Sequence, residues 1–523
     1  MAIDDYYKYL RRQVSRCGCV DSLYVIWAYS QLLQVRNFAF PNNIEKPSTF
    51  VAGSRANFLV HEWEFETIAT EVILHAARGT KTMRDWLTLA SIVQKLRNLE
   101  NELYGDDQGA DVLIEMSRIM HRQISWQQFR PQTKLAYRYY RIFSDPAVDA
   151  ICQKVVGLSI DALYFQGVLA FANFASVPAL EINNDTTRDT NGFYAFAARP
   201  LAEIRELIRV AHRLDHSYAY QVGALRQFPL IKVENESRKL VLCPLPTLLF
   251  WRLTSGLYYD LIRGDADFGN ALGGSFERYV GEVIARVVSS PALRYTGEAR
   301  YGSRQRPKAT PDWLLIEGEA SAAFIECKTK RITVAAKTAM TDLTPLQEDL
   351  GKLADAVVQL YERVTDYAAG AFPNLPYLPA RKVYPIVVTL EEWYLFGERV
   401  MALLREAVVT RMRGANVDLG WLDRAPYSVM SAAELEDALQ VVNAVGVSTC
   451  FEGKMSDQGM RLWPFGNYLR HQFPTEWKAR KLIFPDESNA MFGRLANMAA
   501  ISEPSAPAAL APPATTEVAG VLG

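Results

Sequence analysis

Cysteines are few in this sequence. Their spacing argues against a zinc-knuckle protein, and the start of the chain argues against a secreted one. The six cysteines are scattered along 523 residues. Cys17 and Cys19 are one residue too close for a zinc knuckle, and no matching cysteine or histidine pair follows at the spacing a zinc site needs. The start, MAIDDYYKYLRRQ, lacks the apolar core and small-residue cleavage site of a signal peptide. We therefore expect a reduced, cytoplasmic protein.

Long apolar runs are also lacking. A membrane helix needs about 18 consecutive apolar residues. The best candidate, from Val155 to Val177, is interrupted by Asp161, Gln166 and Asn173. The sequence therefore predicts a soluble protein with no membrane association.

Neither sign of charge is in excess. Lys and Arg together number 57, against 58 for Asp and Glu. Binding to nucleic acid needs only a local basic surface, and such a surface can exist on a chain whose total charge is balanced. The composition therefore neither indicates nor excludes a nucleic acid as partner.

The chain is long enough for more than one hydrophobic core, because 49% of its 523 residues are hydrophobic. Residues 1–225 show mostly helical periodicity and are predicted to form a recognition or partner domain. The acidic positions Glu62, Glu64 and Glu66 within it are predicted to lie on a solvated face. A hairpin of strands near 229–233 and 239–243 then marks the start of a second domain, residues 226–490. Residues 502–523, rich in Pro and Ala, are predicted to be a disordered tail.

The second domain has the pattern of an α+β or α/β fold. A helix, three strands, a long helix and a further strand are predicted in that order, and two more helices follow. The long helix is predicted to begin with a capping box at Thr344, and one of the last helices with a second box formed by Ser431 and Glu434. The predicted bounds are Phe276–Val288, Leu293–Tyr301, Asp312–Ile316, Ala322–Lys328, Thr344–Tyr367 and Val383–Leu390.

Three charged residues stand inside the predicted strands. Asp312 opens one strand, and Glu326 and Lys328 lie two apart on the next, so their side chains share a face. Charges within buried strands are costly unless they are paired or bind a metal. Two carboxylates on neighbouring strands suit a hard divalent cation, and a lysine beside them can reach an attacking water or a phosphate. Buried ion pairs of the two acids with Lys328 and Arg331 are the structural alternative.

The Glu-x-Lys triplet by itself is a weak signal, and the sequence contains two controls. Glu452-Gly-Lys454 and Glu476-Trp-Lys478 repeat it. Neither control is immersed in an apolar strand or preceded by a Pro-Asp strand. The context of Glu326 therefore distinguishes this triplet from the other two.

Pro311-Asp312, Glu326-Cys327-Lys328 and the helix segment Gly274–Val280 resemble the PD-(D/E)xK nuclease superfamily. The resemblance covers about Gly273–Glu392, less than a quarter of the chain. It implies a restriction-endonuclease-like αβββαβ core with C-terminal helices, behind a largely helical N-terminal region. The N-terminal half aligns with no subfamily, so the choice of substrate does not carry over.

The resemblance also implies roles for single residues. Asp312 and Glu326 would bind Mg²⁺, with Mn²⁺ as a substitute, and Lys328 would position or activate the water. Glu277 would support the metal from the first helix, although a surface or helix-dipole role at the edge of the core face is equally natural. Gln359 lies on the following helix, where related nucleases often place polar contacts, whereas the spacing of Tyr361 places it in the core.

Basic residues flank the predicted site and are candidate contacts to nucleic acid. A solvated loop is the alternative for such a run. The candidates are Arg300, Arg304, Arg306, Lys308 and Lys330.

Two hypotheses of different class follow from these residues. The first is a Mg²⁺-dependent endo- or exodeoxyribonuclease acting in restriction, repair or anti-phage defence, with DNA as its substrate. The second is a catalytically silent nuclease-fold module that binds nucleic acid or protein. The sequence does not distinguish an enzyme that cleaves RNA from one that cleaves DNA, because the chemistry at phosphorus is the same. A protein partner or a homodimer is also expected, because no DNA-recognition module is apparent.

Overall fold

The computed structural model describes two compact units of the chain. The first is formed by Met1–Gln108, Arg122–Ala266 and Asp486–Gly523, and the second by Gly109–His121 and Asp267–Pro485. The structure describes residues 3–502 except 36, 51–58, 78, 106–118, 121, 124–125, 127–131, 183–186, 216, 235–238, 339–342 and 396. The predicted tail, apart from its first residue, lies outside the described residues.

The first unit is mainly helical. Its first four helices pack together around a shared apolar core. The described helices are α1 (Ile3–Val14), α2 (Cys19–Gln34), α3 (Glu62–His75), α4 (Trp86–Gly105), α5 (Thr133–Phe143), α6 (Pro146–Val156), α7 (Ile160–Phe174), α8 (Arg188–Ala197), α9 (Leu201–Ala211), α10 (Ala224–Gln227), α11 (Pro246–Leu253) and α12 (Tyr258–Gly264). A 3₁₀ turn spans Tyr218–Tyr220, and a last helix spans Pro485–Ser502.

A small sheet completes the first unit. Its strands are β1 (Ala179–Glu181), β2 (Ala198–Pro200), β3 (Leu230–Glu234) and β4 (Lys239–Leu242). The antiparallel pairing of β3 with β4 confirms the predicted hairpin. β4 also pairs with β1 and β3 with β2, so the hairpin belongs to the first unit, which continues to Ala266. The sequence-based boundary at 225/226 therefore differs from the boundary between the compact units.

The prediction of a solvated acidic face on α3 is wrong. Glu62, Glu64 and Glu66 are buried, with exposures of 5%, 3% and 7%. Arg97 donates to both carboxylate oxygens of Glu64, and Arg226 does the same for Glu66. These arginines lie far away in sequence, which is why the local pattern did not reveal the pairing.

The second unit alternates helices and strands. Its helices are α13 (Phe268–Val287), α14 (Val334–Thr338), α15 (Thr344–Ala368), α16 (Glu398–Gly414), α17 (Trp421–Arg424), α18 (Ala432–Val445), α19 (Val447–Ser456), α20 (Gln458–Arg461), α21 (Phe465–Gln472) and α22 (Pro474–Ala479). Its strands are β5 (Leu293–Gly297), β6 (Arg300–Ser303), β7 (Arg306–Ala309), β8 (Trp313–Glu317), β9 (Ser321–Lys328), β10 (Lys382–Thr389) and β11 (Ser428–Ser431).

A five-stranded mixed sheet forms the centre of this unit, in the order β11-β10-β9-β8-β5. The pairs β5–β8 and β8–β9 are antiparallel, whereas β10 is parallel to both β9 and β11. Phe324 and Val387 on one face of the sheet share a core with Val357 and Tyr361 of α15. Tyr361 is fully buried, which confirms its predicted core position. The fold class is therefore mixed α and β, with more helix than strand.

Two local predictions need correction, and one is confirmed. The strand predicted over Leu293–Tyr301 is interrupted after Gly297, because Ala299 exchanges hydrogen bonds with Thr310 and begins the separate β6–β7 ribbon. The prediction of a capping box at Thr344 is wrong, since the N-cap is Leu343 and its side chain makes no capping hydrogen bond. The box of Ser431 with Glu434 is confirmed.

Among the described residues, no single helix is both long enough and apolar enough to cross a bilayer. Taken together, α6 and α7 have that length and composition, but they are bent by 68°.

Candidate functional site

A tight hairpin brings two of the predicted carboxylates together. β8 and β9 are joined by a short turn that begins at Gly318, whose φ of +49° favours glycine. Trp313 pairs with Ile325, and the same register continued by one residue sets Asp312 opposite Glu326. Asp312 precedes β8, and its Oδ2 accepts a hydrogen bond of 2.7 Å from the backbone N–H of Cys327. Both carboxylates are thus fixed at one end of the hairpin.

Lys328 lies on the same face of β9 as Glu326, as the alternation of side chains requires. Its Nζ donates to Oε1 of Glu326 at 2.7 Å and to Oε1 of Gln359, on α15, at 3.3 Å. The side chain of Glu326 is only 4% exposed, whereas that of Lys328 is 28% exposed. The ammonium group therefore stands between a buried carboxylate and solvent.

The surroundings of Asp312 favour its protonated form. Burial and then repulsion from Glu326 raise the pKa of Asp312 to about 7, while the Cys327 N–H and the charge of Lys328 act in the opposite direction. A carboxyl group with so high a pKa lacks compensating positive charge. Such a shift within a cluster of charged groups is typical of functional sites.

Glu277 of α13 is coupled to this pair by charge. Burial, followed by repulsion from Glu298 and Glu326, raises the pKa of Glu277. Glu298 is exposed in the short link between β5 and β6, and sequence analysis did not single it out. It stands outside any strand and outside the motif, so no periodic pattern could have indicated it.

The residues fit a divalent ion held by few protein ligands rather than a closed cage. No group of three or more His, Cys, Asp or Glu side chains suited to a metal occurs in the described part of the chain. Mg²⁺, however, is commonly bound through one or two carboxylates together with water and phosphate oxygens. Asp312 and Glu326 supply two such carboxylates. Burial and, after it, the charge of Glu326 raise the pKa of Asp312, and a bound cation would favour the ionised form against both.

The basic candidates lie on two segments that adjoin the site. Arg300 is on β6, Arg306 on β7 and Arg304 in the turn between them, and all three are exposed. Lys308 forms an ion pair of 2.8 Å with Asp366, so it must exchange partners before it contacts a phosphate. Lys330 is exposed just beyond the end of β9. The β6–β7 ribbon leads directly into Asp312, and its arginines are therefore attached close to the carboxylates along the chain.

The two control triplets are in helices. Glu452 and Lys454 lie on α19, and Glu476 and Lys478 lie on α22. Residues two apart on a helix point in different directions, so neither triplet presents its acid and its lysine on one face. Glu452 instead accepts a hydrogen bond of 2.7 Å from the hydroxyl of Tyr384.

A close approach of helix to sheet positions the start of β8. Gly281 on α13 faces the ring of Trp313, and a methyl group added to Gly281 would overlap that ring. The ring is also held by a hydrogen bond of 3.1 Å from its Nε1 to the carbonyl of Glu277. Trp313 follows Asp312 directly, so this contact fixes the backbone that carries the carboxylate.

Replacement of Gly281 by alanine is expected to lower the free energy of unfolding by about 1–3 kcal/mol, because the rigid Trp313 ring must move. Gly273 on the same helix is the matched control, since an added methyl group there meets no described atom within 4 Å. Gly273→Ala should be neutral or stabilise the protein by about 0.5–1 kcal/mol. Urea unfolding monitored by circular dichroism measures both, and equal effects of the two changes would contradict the close packing.

The raised pKa of Asp312 predicts that the stability of the metal-free protein, measured in the presence of a chelator, depends on pH. An aspartate in the unfolded chain titrates near pH 4, roughly three units below the folded value of about 7. The stabilising contribution of the protonated group is therefore complete below about pH 4 and is lost as the pH rises through about 7. We expect the melting temperature of the wild type in EDTA to fall, relative to Asp312→Asn, between about pH 5 and pH 8. A constant difference across that range would contradict the shift.

No protein-family model matches this chain, and neither a curated protein nor a solved structure matches it. The function is therefore inferred from the residues and geometry described above.

Proposed function

We propose that the second unit is a metal-dependent nuclease of the PD-(D/E)xK type that hydrolyses phosphodiester bonds in DNA. The observation that carries this proposal is the placement of Asp312 opposite Glu326, with Lys328 bonded to Glu326 on the same face. The raised pKa of Asp312 adds support, because burial and the neighbouring Glu326 disfavour the ionised carboxylate in the absence of a cation.

The order of elements is a second support. α13, β5, β8, β9, α15 and β10 follow one another as helix, three strands, helix and strand, with the β6–β7 ribbon and α14 as insertions. The first three of these strands are antiparallel neighbours, and β10 is parallel to β9. This is the arrangement expected of a restriction-endonuclease-like αβββαβ core.

Each side chain has a distinct task in the proposed reaction. Asp312 and Glu326 would hold Mg²⁺, or Mn²⁺ in its place, and the ion supplies a water of lowered pKa and positive charge near the phosphorus. Oε1 of Gln359 accepts a hydrogen bond from the Lys328 ammonium and so fixes its direction. Lys328 can then donate to the attacking water or to a phosphate oxygen. The β6–β7 arginines would bind flanking phosphates, and Glu277 would add negative charge beside the ion.

The test is a cleavage assay with the full-length chain. Linear and circular duplex DNA, single-stranded DNA and RNA are incubated with Mg²⁺, Mn²⁺, Ca²⁺ or EDTA. We expect DNA to be cut in Mg²⁺ and Mn²⁺ and to remain intact in EDTA. Cleavage of RNA alone would transfer the proposal to RNA. Calorimetry with Mg²⁺ tests the alternative, a catalytically silent binding module. If the protein binds nucleic acid but neither binds metal nor cleaves, the nuclease proposal is overturned.

The setting we propose is restriction, repair or anti-phage defence in the cytoplasm. The first unit would then recognise the substrate, a protein partner or a second copy of the chain. Gel filtration of the whole chain and of residues 267–485, each with and without DNA, tests this part. If residues 267–485 alone form the complex, the first unit does not have that role.

A further inference from the structure

The β6–β7 ribbon is an insertion in the second unit and forms a two-stranded sheet separate from the central sheet. Its foot is the pair Arg300–Ala309, and its turn is formed by Arg304 and Gln305. Two residues separate the end of β7 from Asp312. The ribbon is therefore attached to the carboxylate site by a very short piece of chain.

One face of the ribbon is anchored near its foot. The hydroxyl of Tyr301 donates to the carboxylate of Asp366, on α15, at 2.7 Å. Lys308 pairs with Tyr301 across the ribbon and donates to the same carboxylate at 2.8 Å. The ring of Tyr301 also packs against Phe372. Because paired residues share a face, this face of the ribbon is turned toward α15 and the ribbon has a fixed direction.

Beyond the anchoring pair the ribbon extends into solvent. All six residues from Gly302 to Pro307 are exposed. They form two residue pairs and the turn, so they extend about 7–10 Å at about 3.3 Å per residue. The major groove of duplex DNA is about 12 Å wide and about 8.5 Å deep, and it admits a two-stranded β-ribbon. The exposed part is therefore long enough to reach the floor of that groove.

The charge of the ribbon favours an anionic partner. The segment 299–310 contains four cationic residues and no acidic one. Glu298 precedes the foot, at the end of the ribbon opposite to the tip. At the tip, Arg304 and Arg306 stand on either side of Gln305, and a guanidinium group binds phosphate through two parallel hydrogen bonds. The two arginines are therefore placed to contact the phosphate backbones that border a groove.

The composition of the tip argues against a single strand as partner. Proteins that bind single strands stack the bases on aromatic side chains. The segment from Gly302 to Pro307 contains no aromatic residue, and the ring of Tyr301 is turned toward Phe372. Duplex RNA also fits poorly, because its major groove is too deep and narrow for side chains to read. Duplex DNA is the partner that fits the shape and the charge.

The face opposite the anchor carries little bulk. Gly302 pairs with Pro307 on that face. Gly302 has a φ of +85°, and a methyl group added to it would lie 2.6 Å from the carbonyl oxygen of Arg306. Glycine is therefore required at this position. Neither residue of the pair places a long side chain between the ribbon and the wall of a groove.

We propose that the β6–β7 ribbon enters the major groove of the duplex that is cut at Asp312 and Glu326. Arg304 and Arg306 hold the backbones on either side, and Gln305 at the tip reads one base pair. A glutamine side chain makes two hydrogen bonds with N6 and N7 of adenine in this groove, so adenine is the preferred base. This inference rests on the proposed nuclease function.

The chain between the tip and the carboxylates limits where that base lies. Gln305 is seven positions before Asp312, a span of at most about 25 Å. One turn of duplex DNA is about 34 Å long and contains about 10 base pairs. The base read by Gln305 therefore lies within about one helical turn of the cut.

The first test measures binding of nucleic acids to the full chain carrying Asp312→Asn and Glu326→Gln, in EDTA, so that the probes are not cut. Fluorescence anisotropy is the readout. We expect duplex DNA to bind at least about 10-fold more tightly than single-stranded DNA or duplex RNA of the same length. Equal or tighter binding of either, or equal competition by polyglutamate at the same charge concentration, would overturn the proposal.

The dependence of binding on salt tests the two arginines. Arg304→Ala and Arg306→Ala should each weaken the binding of all duplex sequences alike. Each should also reduce the slope of log affinity against log salt concentration by about 1, because one phosphate contact is lost. Arg413→Ala is the control, since Arg413 is an exposed arginine on α16, outside the ribbon. Unchanged slopes in both ribbon variants would overturn the contact with the groove.

Selection from duplexes of random sequence tests Gln305. We expect the bound pool to be enriched in adenine at one position by at least about fivefold, and Gln305→Ala to lose that enrichment with an unchanged salt slope. Gln472→Ala is the control, because Gln472 is an exposed glutamine at the end of α21. The absence of an enriched base, or an enrichment that persists in Gln305→Ala, would overturn the reading of a base pair.

Cleavage by the chain with both carboxylates intact separates this inference from the nuclease itself. We expect the wild type to cut within about 10 base pairs of the selected adenine. Gln305→Ala should cut the pooled duplexes at a rate within about threefold of the wild type, without that preference. Selection of adenine without any cleavage would support the ribbon and overturn the nuclease. Cleavage that depends on neither Arg304, Gln305 nor Arg306 would overturn the ribbon and leave the nuclease standing.

Discussion

Replacement of Asp312 by asparagine is expected to reduce Mg²⁺-dependent cleavage by at least about 100-fold, because one of two anionic metal ligands is lost. The amide oxygen can still accept the N–H of Cys327, so the hairpin should remain folded. Glu326→Gln should behave alike, since Glu326 is the second ligand. Initial rates with duplex DNA and Mg²⁺ affinity by calorimetry are the measurements.

Glu452→Gln is the matched control for these two changes. Glu452 belongs to the same Glu-x-Lys triplet type but lies on α19, and its side chain is 41% exposed. We expect its cleavage rate to stay within about twofold of the wild type. Full activity of both Asp312→Asn and Glu326→Gln, with unchanged Mg²⁺ affinity and unchanged circular dichroism, would remove these residues from the active site.

Lys328→Ala is expected to have two separate effects. Cleavage should fall by about 100- to 1,000-fold, because a donor aimed at the reacting phosphate or water is removed. Stability in EDTA should fall by about 2 kcal/mol, less than for a fully buried pair because the side chain of Lys328 is 28% exposed. Ca²⁺ should restore most of that stability, since a divalent ion can neutralise the unpaired Glu326, but it should not restore cleavage.

Lys352→Ala distinguishes this effect from the loss of any ion pair. Lys352 bonds to the buried Asp349 at 2.9 Å, so its removal also leaves a buried carboxylate. We expect a loss of stability without rescue by Ca²⁺ and without a change in cleavage. If Lys328→Ala behaves in the same way as Lys352→Ala, the lysine has only a structural role and the proposed mechanism fails at this residue.

Local periodicity accounts for the parts of the site that could be predicted. The alternation of strand residues set Glu326 and Lys328 on one face, and the structure has them hydrogen-bonded there. The structure confirms the two predicted apolar runs as β8 and β9. Because only a short turn joins them, they pair with each other. Gln359 was indicated only by the resemblance, which implies polar contacts on the helix after β9, and its bond to Lys328 depends on packing of α15 that no local pattern specifies.

Long-range partners account for what could not be predicted. The pairing of Glu64 with Arg97, and of Glu66 with Arg226, turned an apparently solvated face into a buried one. A cavity of the second unit, lined by residues between Thr389 and Phe465, likewise draws its wall from segments that no motif connects. At Thr344 the chain is already helical, so a sequence that matches a capping box lacks the extended backbone that such a box requires.

The hairpin that holds Asp312 and Glu326 also has a consequence for folding kinetics. A short turn closes rapidly and at little entropic cost, whereas the parallel pairing of β9 with β10 must wait for a long segment that includes α15. The two carboxylates therefore meet early, beside Lys328 of the same strand and before that lysine reaches Gln359. The contact between Lys328 and Gln359 is therefore the last part of this site to form, because it needs α15 to be packed against the sheet.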